Sequence, residues 1–208
     1  MHNQQKISIF ALESKQNDMI NREIIRIKIV QLTYAYYQNG NKNIDTAEKE
    51  LLFSLSKAYD LYNFLLALMV AVAKEAKRRL EINEAKARRE GLPKPSTRFA
   101  YNRFTLQLEE NHQLNDFISN QKHTWADEPE FVGKLFDQIE QSQVYKDYMD
   151  APTDDYEADR ELWRKLYKML VQENDDLDAL LEEQSLYRND DKEIVDTFVL
   201  KTIKRFNE

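Results

Sequence analysis

From residue 45 to residue 89 the chain contains neither Gly nor Pro, and its apolar residues keep one register throughout. Leu52, Leu55, Tyr59, Tyr62, Leu66, Met69, Ala73, Ala76 and Leu80 alternate three- and four-residue steps without a miss. That is the a/d pattern of a helix packed along its length against other helices. Leu51, Phe53, Leu61, Leu65, Leu68 and Val72 add a second stripe, so the first half is expected to be buried on two sides. Asp45 and Glu48 have capping-box spacing at the start. Lys86, Arg88 and Arg89 suit the negative end of the dipole, Gly91 suits the cap, and Pro93 and Pro95 forbid continuation. One segment of about 45 helical residues excludes most β architectures. Composition closes the rest: 3 Gly and 4 Pro in 208 residues leave too few turn-formers for many strands. The expected fold is all-α, a multi-helix assembly.

Residues 19–38, MINREIIRIKIVQLTYAYYQ, form the expected partner of that helix. Apolar side chains fall on almost every side of the wheel, which predicts a short, buried N-terminal helix. Arg22 and Arg26 make a narrow polar ridge at four-residue spacing. A helix opening near Met19 puts Arg22 in the first turn, where a cation costs roughly 0.3–1 kcal/mol unless an anion lies beside it. Two readings stay open on residue types alone: a solvated arginine pair beside a core helix, or a phosphate contact.

The segment INREIIRIKIVQLTYAYYQNG resembles the opening helix of the NusB family of bacterial transcription antitermination factors. Arg22 and Arg26 match the arginine positions, Val30-Gln31 the hydrophobic-Gln pair, and Tyr34 and Tyr36 the aromatics, while Thr33 stands where the family usually has Leu. The stretches DTAEKELLFSLSKAYDLY, RELWRKLYK and SLYRNDDKEIVDTFVLKTIKRF look like the long, insertion-bearing version found in Bacteroides-type bacteria. The resemblance implies a non-enzymatic factor that pairs with a small ribosomal protein of NusE type. The pair would bind boxA-type RNA and join the RNA polymerase antitermination complex. It places RNA contact on Arg22 and Arg26, with Lys28, on another face, as a further candidate. The runner-up is a helical protein-interaction module without RNA binding.

The organisation that follows is a lead-in over 1–18, NusB-like helices over 19–90, and a helical insertion region over 91–208. The family's closing Ile-Asn-Glu-Ala-like and Phe-Val-Asn-Gly-x-Leu-Asp-like patterns are absent from the chain. Two expectations arise: a start codon at Met19, and a chain that is the N-terminal part of a longer protein.

Along 91–208 the pattern predicts a helix carrying Leu106 and Leu108, interrupted near Asn111, then one opened by Pro129 with Leu135, Phe136 and Ile139 inward. A short helix with Tyr145, Tyr148 and Met149 ends before Pro152. The next carries Leu162, Trp163, Leu166, Tyr167, Met169 and Leu170, followed by DDLDALLEE and a last helix after Asp191. Residues 98–104 interleave arginines and aromatics, a composition that stacks on bases or simply docks a helix while the arginines stay solvated.

Chemistry beyond binding has little to work with. Cys is absent, which removes thiolate sites. Glu109-x-x-His112 occurs once, whereas a di-metal carboxylate site needs two copies. The Asp-rich stretches lack the Gly of a calcium loop and read as acidic first turns and solvated faces. No phosphate-loop, dinucleotide or nucleophile-elbow motif is present. No enzyme, cofactor or metal is expected. The longest apolar run, residues 64–73, is half a bilayer span, and no secretory leader opens the chain, which predicts a cytoplasmic protein with no membrane partner. The net charge of −7 disfavours a whole-protein nucleic-acid clamp. Residues 74–98, however, hold nine Lys/Arg against four Asp/Glu, and residues 150–191 five against fourteen, which permits one basic face.

Overall fold

The computed structural model describes residues 14–38, 43–184 and 191–207. Among them the chain is all-α: nine α-helices with one 3₁₀ turn and one π-helical segment. The chain divides into two compact units, Met1–Tyr59 and Asp60–Glu208.

The first unit holds α1, Ser14–Gln38, and the opening of α2, Ile44–Glu90. α1 already runs from Ser14, so Arg22 stands two turns in, outside the reach of the dipole. Residues 14–18, expected in the lead-in, are helical; residues 1–13 lie outside the described residues. The burial expected of α1 is not found. Ile24 and Lys28 are buried, but Ile27, Ile29, Val30, Tyr34 and Tyr37 are exposed. In the same unit Leu52, Phe53 and Tyr59 of α2 are exposed as well, against the two-sided burial expected there. A wheel reports which faces are apolar, and has no information on whether anything covers them. The cap also differs from expectation. Asn43 Oδ1, not Asp45, accepts from the amides of Asp45 and Thr46 at 3.0 and 3.4 Å.

The second unit is built around the rest of α2. From Leu61 to Ala73 only Tyr62 and Ala71 are more than marginally accessible, so this segment is the most deeply buried part of α2 and is the true central helix. An 18-residue window of α2, with mean hydropathy 1.3, is long and apolar enough to cross a bilayer, and 61% of it is buried inside the protein, as in a core helix. The ten-residue run read from the sequence understates that window. α2 ends as its sequence requires. Gly91 takes φ 66°, and the Leu92 amide donates to the Ala87 carbonyl at 3.0 Å, the longer bond of a Schellman cap.

Short helices wrap the centre: α3 Arg103–Glu109, α4 His112–Asn120, the 3₁₀ turn Trp125–Asp127, α5 Pro129–Gln141, α6 Gln143–Asp150, α7 Tyr156–Leu166, α8 Asp175–Gln184 and α9 Lys192–Arg205. Most start on a side-chain cap. Asn102, Asn111, Ser142 and Asp155 each accept from a first-turn amide. The expected break near Asn111 is this cap. Polar bonds reach the centre from four sides. Lys77 pairs with Glu109 at 2.6 Å, Trp125 Nε1 donates to Phe64 O at 2.7 Å, and Tyr62 and Thr202 share a hydroxyl bond of 2.8 Å. Arg79 meets Asp137 at 2.5 Å, Glu140 at 3.2 Å and the Gly133 carbonyl at 3.1 Å.

After α7 the helix widens into a π segment, Tyr167–Val171, closed by the Gln172 amide on the Tyr167 carbonyl at 2.9 Å. The wider turn shifts the inward face by one residue. Tyr167 and Val171 are buried, while Met169, expected on the apolar stripe with Leu170, is exposed.

Candidate nucleic-acid interface

On α1, residues 22, 26, 29, 30, 33 and 37 recur at helical spacing and fall within one stripe about 100° wide. All six, Arg22, Arg26, Ile29, Val30, Thr33 and Tyr37, are exposed. The face therefore runs from two guanidinium groups through two aliphatic side chains to an aromatic ring. Tyr34 lies on its flank, 66% exposed, with its hydroxyl accepting from Gln38 Nε2 at 2.7 Å. Tyr36 and Tyr37 meet edge to face at 6.3 Å. Fixed positive charge beside an accessible ring is a combination that engages single-stranded nucleic acid: guanidinium neutralises phosphate, and the ring stacks on a base.

Lys28 does not share this face. It points to the opposite side of the wheel and is 7% exposed, so its ammonium is not presented to a strand in solution. That third candidate is corrected to a buried cation. Residues 29, 30, 33 and 37 were legible by spacing, but the apolar character of Ile29, Val30 and Tyr37 reads as core when nothing shows that the helix is uncovered.

The arginine–aromatic segment at 98–104 is engaged internally. Phe99 and Phe104 are buried, with Phe99 packed on Phe136 at 5.6 Å and on Trp163 at 5.6 Å. The arginines, expected to be only solvated, keep part of their surface in solvent but are bonded across the chain. Arg98 donates to Ala151 O at 2.6 Å and to Thr153 O, and it covers the Tyr148 ring at 4.2 Å. Arg103 pairs with Asp154 at 3.2 Å. A helix-docking role accounts for this segment without a ligand. Of the single Glu109-x-x-His112 pair, Glu109 is held by Lys77 and His112 is exposed.

Two of the buried acids make paired contacts that the sequence does not signal: Asp159, in an acidic stretch read as solvated, and Asp196, in the last helix. Asp159 is 2% exposed. Its Oδ1 accepts from the Tyr148 hydroxyl at 2.6 Å and its Oδ2 from the Arg103 amide at 2.8 Å. Burial, followed by the bond to Asp159, pushes the Tyr148 phenol well above its ordinary value. Asp196, 1% exposed, accepts from the Tyr167 hydroxyl at 2.5 Å and pairs with buried Lys192 at 3.2 Å. Lys192 also donates to the Gln172 carbonyl and lies 3.2 Å from Asp178. Burial raises the Asp196 carboxyl, and its bonds to Tyr167 and Lys192 oppose the rise. Asp159 thus ties α7 to α6 and the start of α3, while Tyr167, Lys192 and Asp196 tie the π segment to α9, with Asp178 of α8 beside them.

Set against family models, curated proteins and solved structures, the chain matches none, so the reading of α1 rests on its residues and their placement.

Proposed function

We propose that this chain acts as a NusB-type transcription antitermination factor, holding boxA-type RNA on the α1 face together with a NusE-like ribosomal protein in the RNA polymerase antitermination complex. The observation that carries the reading is the shared exposure of Arg22 and Arg26 at the head of a face continued by Ile29, Val30 and Tyr37. The arginines supply phosphate neutralisation, the tyrosine supplies stacking, and the aliphatic pair suits the protein partner. The role is non-enzymatic and cytoplasmic, with no cofactor and no membrane. Lys28 takes no part in phosphate contact.

A second reading, a protein-interaction module without RNA, draws on a different observation. Among the described residues, nine of the thirteen exposed large apolar side chains belong to the first unit, although it is far the shorter. Exposed apolar surface concentrated in one region marks a protein contact.

Titration of a fluorescent boxA-type RNA against rising salt, with and without the NusE-type protein, separates the two. Two phosphate contacts give a log–log slope of about −1.4 on a single strand. The Arg22→Ala, Arg26→Ala double variant loses that slope while keeping its fold, since both side chains are exposed. Absence of RNA affinity at low salt in both arms removes the antitermination reading. A complex with the ribosomal protein alone then leaves the interaction module.

A further inference from the structure

The second unit carries a groove of about 330 Å³ between α2, the end of α4 and the stretch from His123 to Val132. Its α2 wall uses residues 64, 67, 70, 71, 74, 75 and 78, one helical stripe about 21 Å long at 1.5 Å per residue. The stripe changes chemistry along its length. Phe64, Ala67 and Val70 form an apolar end, and Lys74 and Arg78 a cationic one.

The apolar end is fixed in shape. Trp125 stacks on Phe64 at 4.2 Å and on Phe131 at 5.6 Å. Its only polar atom is already satisfied by the Phe64 carbonyl. The turn that presents Trp125 is locked by a capping box. The Ala126 amide donates to Thr124 Oγ1 at 3.3 Å, and the Thr124 amide to Asp127 Oδ2 at 2.8 Å. Transfer of an apolar group from water onto such apolar walls is favourable.

The charged end carries uncompensated positive charge. Glu75 is the one carboxylate lining the groove, and it is saturated. It accepts two bonds from Arg78 at 2.7 Å and one from Arg79 at 2.7 Å. Lys74 and His123 stand exposed at the groove with no hydrogen bond or ion pair to any described residue. An apolar slot with a few convergent polar groups at one end is the usual form of a small-ligand site.

We propose that this groove binds a small anionic amphiphile: an apolar chain or ring seated among Ala71, Phe117 and Ile118, the partly accessible apolar walls over the buried Phe64–Trp125 pair, with a carboxylate or similar anionic head beside Lys74. The site belongs to the second unit and is independent of the α1 face and its RNA.

Calorimetric titration of the full chain with octanoate and with 1-octanol tests the assignment. Octanoate is expected to bind, and octanol, with the same tail and no charge, about tenfold or more weaker. Lys74→Glu, at an exposed position, is expected to reduce octanoate affinity by a similar factor while leaving octanol unchanged. Ala71→Phe, which fills the groove, abolishes binding of both. The proposal is overturned if octanoate does not bind, if octanol binds equally well, or if octanoate affinity is the same in Lys74→Glu and in the unaltered chain.

Discussion

Trp125 Nε1 donates to the Phe64 carbonyl at 2.7 Å while the two rings stack 4.2 Å apart. One residue of a three-residue turn thus closes its own polar atom and covers the central helix. Trp125→Phe keeps most of the apolar contact and loses the bond, so a cost of about 1 kcal/mol is expected. Trp125→Ala removes the ring as well and is expected to cost about 3–5 kcal/mol. Urea unfolding of the two variants measures the gap.

The Lys192–Asp196–Tyr167 cluster predicts an order. Lys192→Met leaves a buried carboxylate without its counter-charge, at a cost of about 3–5 kcal/mol. Tyr167→Phe leaves Asp196 with Lys192 still beside it, at about 1–3 kcal/mol. Both variants unfold at lower urea, with Lys192→Met the weaker; equal midpoints contradict this arrangement.

Acid stability should carry two opposing contributions. Hydrogen bonding from Arg78, ahead of that from Arg79, lowers the Glu75 carboxyl to about 2 from an ordinary 4.5. Its stabilisation is complete above pH 4.5 and is lost as pH falls toward 2. Asp196, raised by burial, has the reverse sign: protonation favours the folded state, so stability is regained as pH falls through its folded value. Glu75→Gln is expected to flatten the loss between pH 4.5 and 2, seen in urea midpoints across that range.

At the alkaline end Tyr148 and Tyr167 are both raised above 10.0, chiefly by burial, with Asp159 and Asp196 adding to it. A raised phenol stabilises fully below its ordinary value, and that contribution is lost as pH climbs above 10. Replacing both by Phe lowers stability at neutral pH and removes this alkaline fall, which unfolding midpoints between pH 8 and 11 report.

Val30 and Tyr37 are 68% and 80% exposed, so Val30→Asp and Tyr37→Ala are expected to shift stability by no more than about 0.5 kcal/mol. On the proposed reading their effect belongs to binding. Both should weaken the complex with RNA and the NusE-type protein while the urea midpoint holds; a large loss of stability would show that this face is core.

Much of the helical order was legible because its signals are local. Gly91 ends α2 in the left-handed conformation that only a residue without a side chain adopts at little cost. Pro129 opens α5, and Asn111 interrupts α3 and α4 by capping. The errors share one origin. Met169 follows a 3.6-residue period that the π segment breaks, Asp159 sits among acidic neighbours that suggest a solvated face, and α1 is apolar enough to suggest burial.

By itself the sequence determined that the chain is helical and where most helices start and stop, because capping, propensity and periodicity act within a few residues. It also placed Arg22 and Arg26 on one face, which needs only helical geometry. Tertiary structure decided which apolar stripe becomes core. The segment Leu61 to Ala73 is largely buried, while Ile29, Val30 and Tyr37, equally oily, stay open to water. Burial is a property of what packs against a side chain, and that partner lies tens of residues away in the chain.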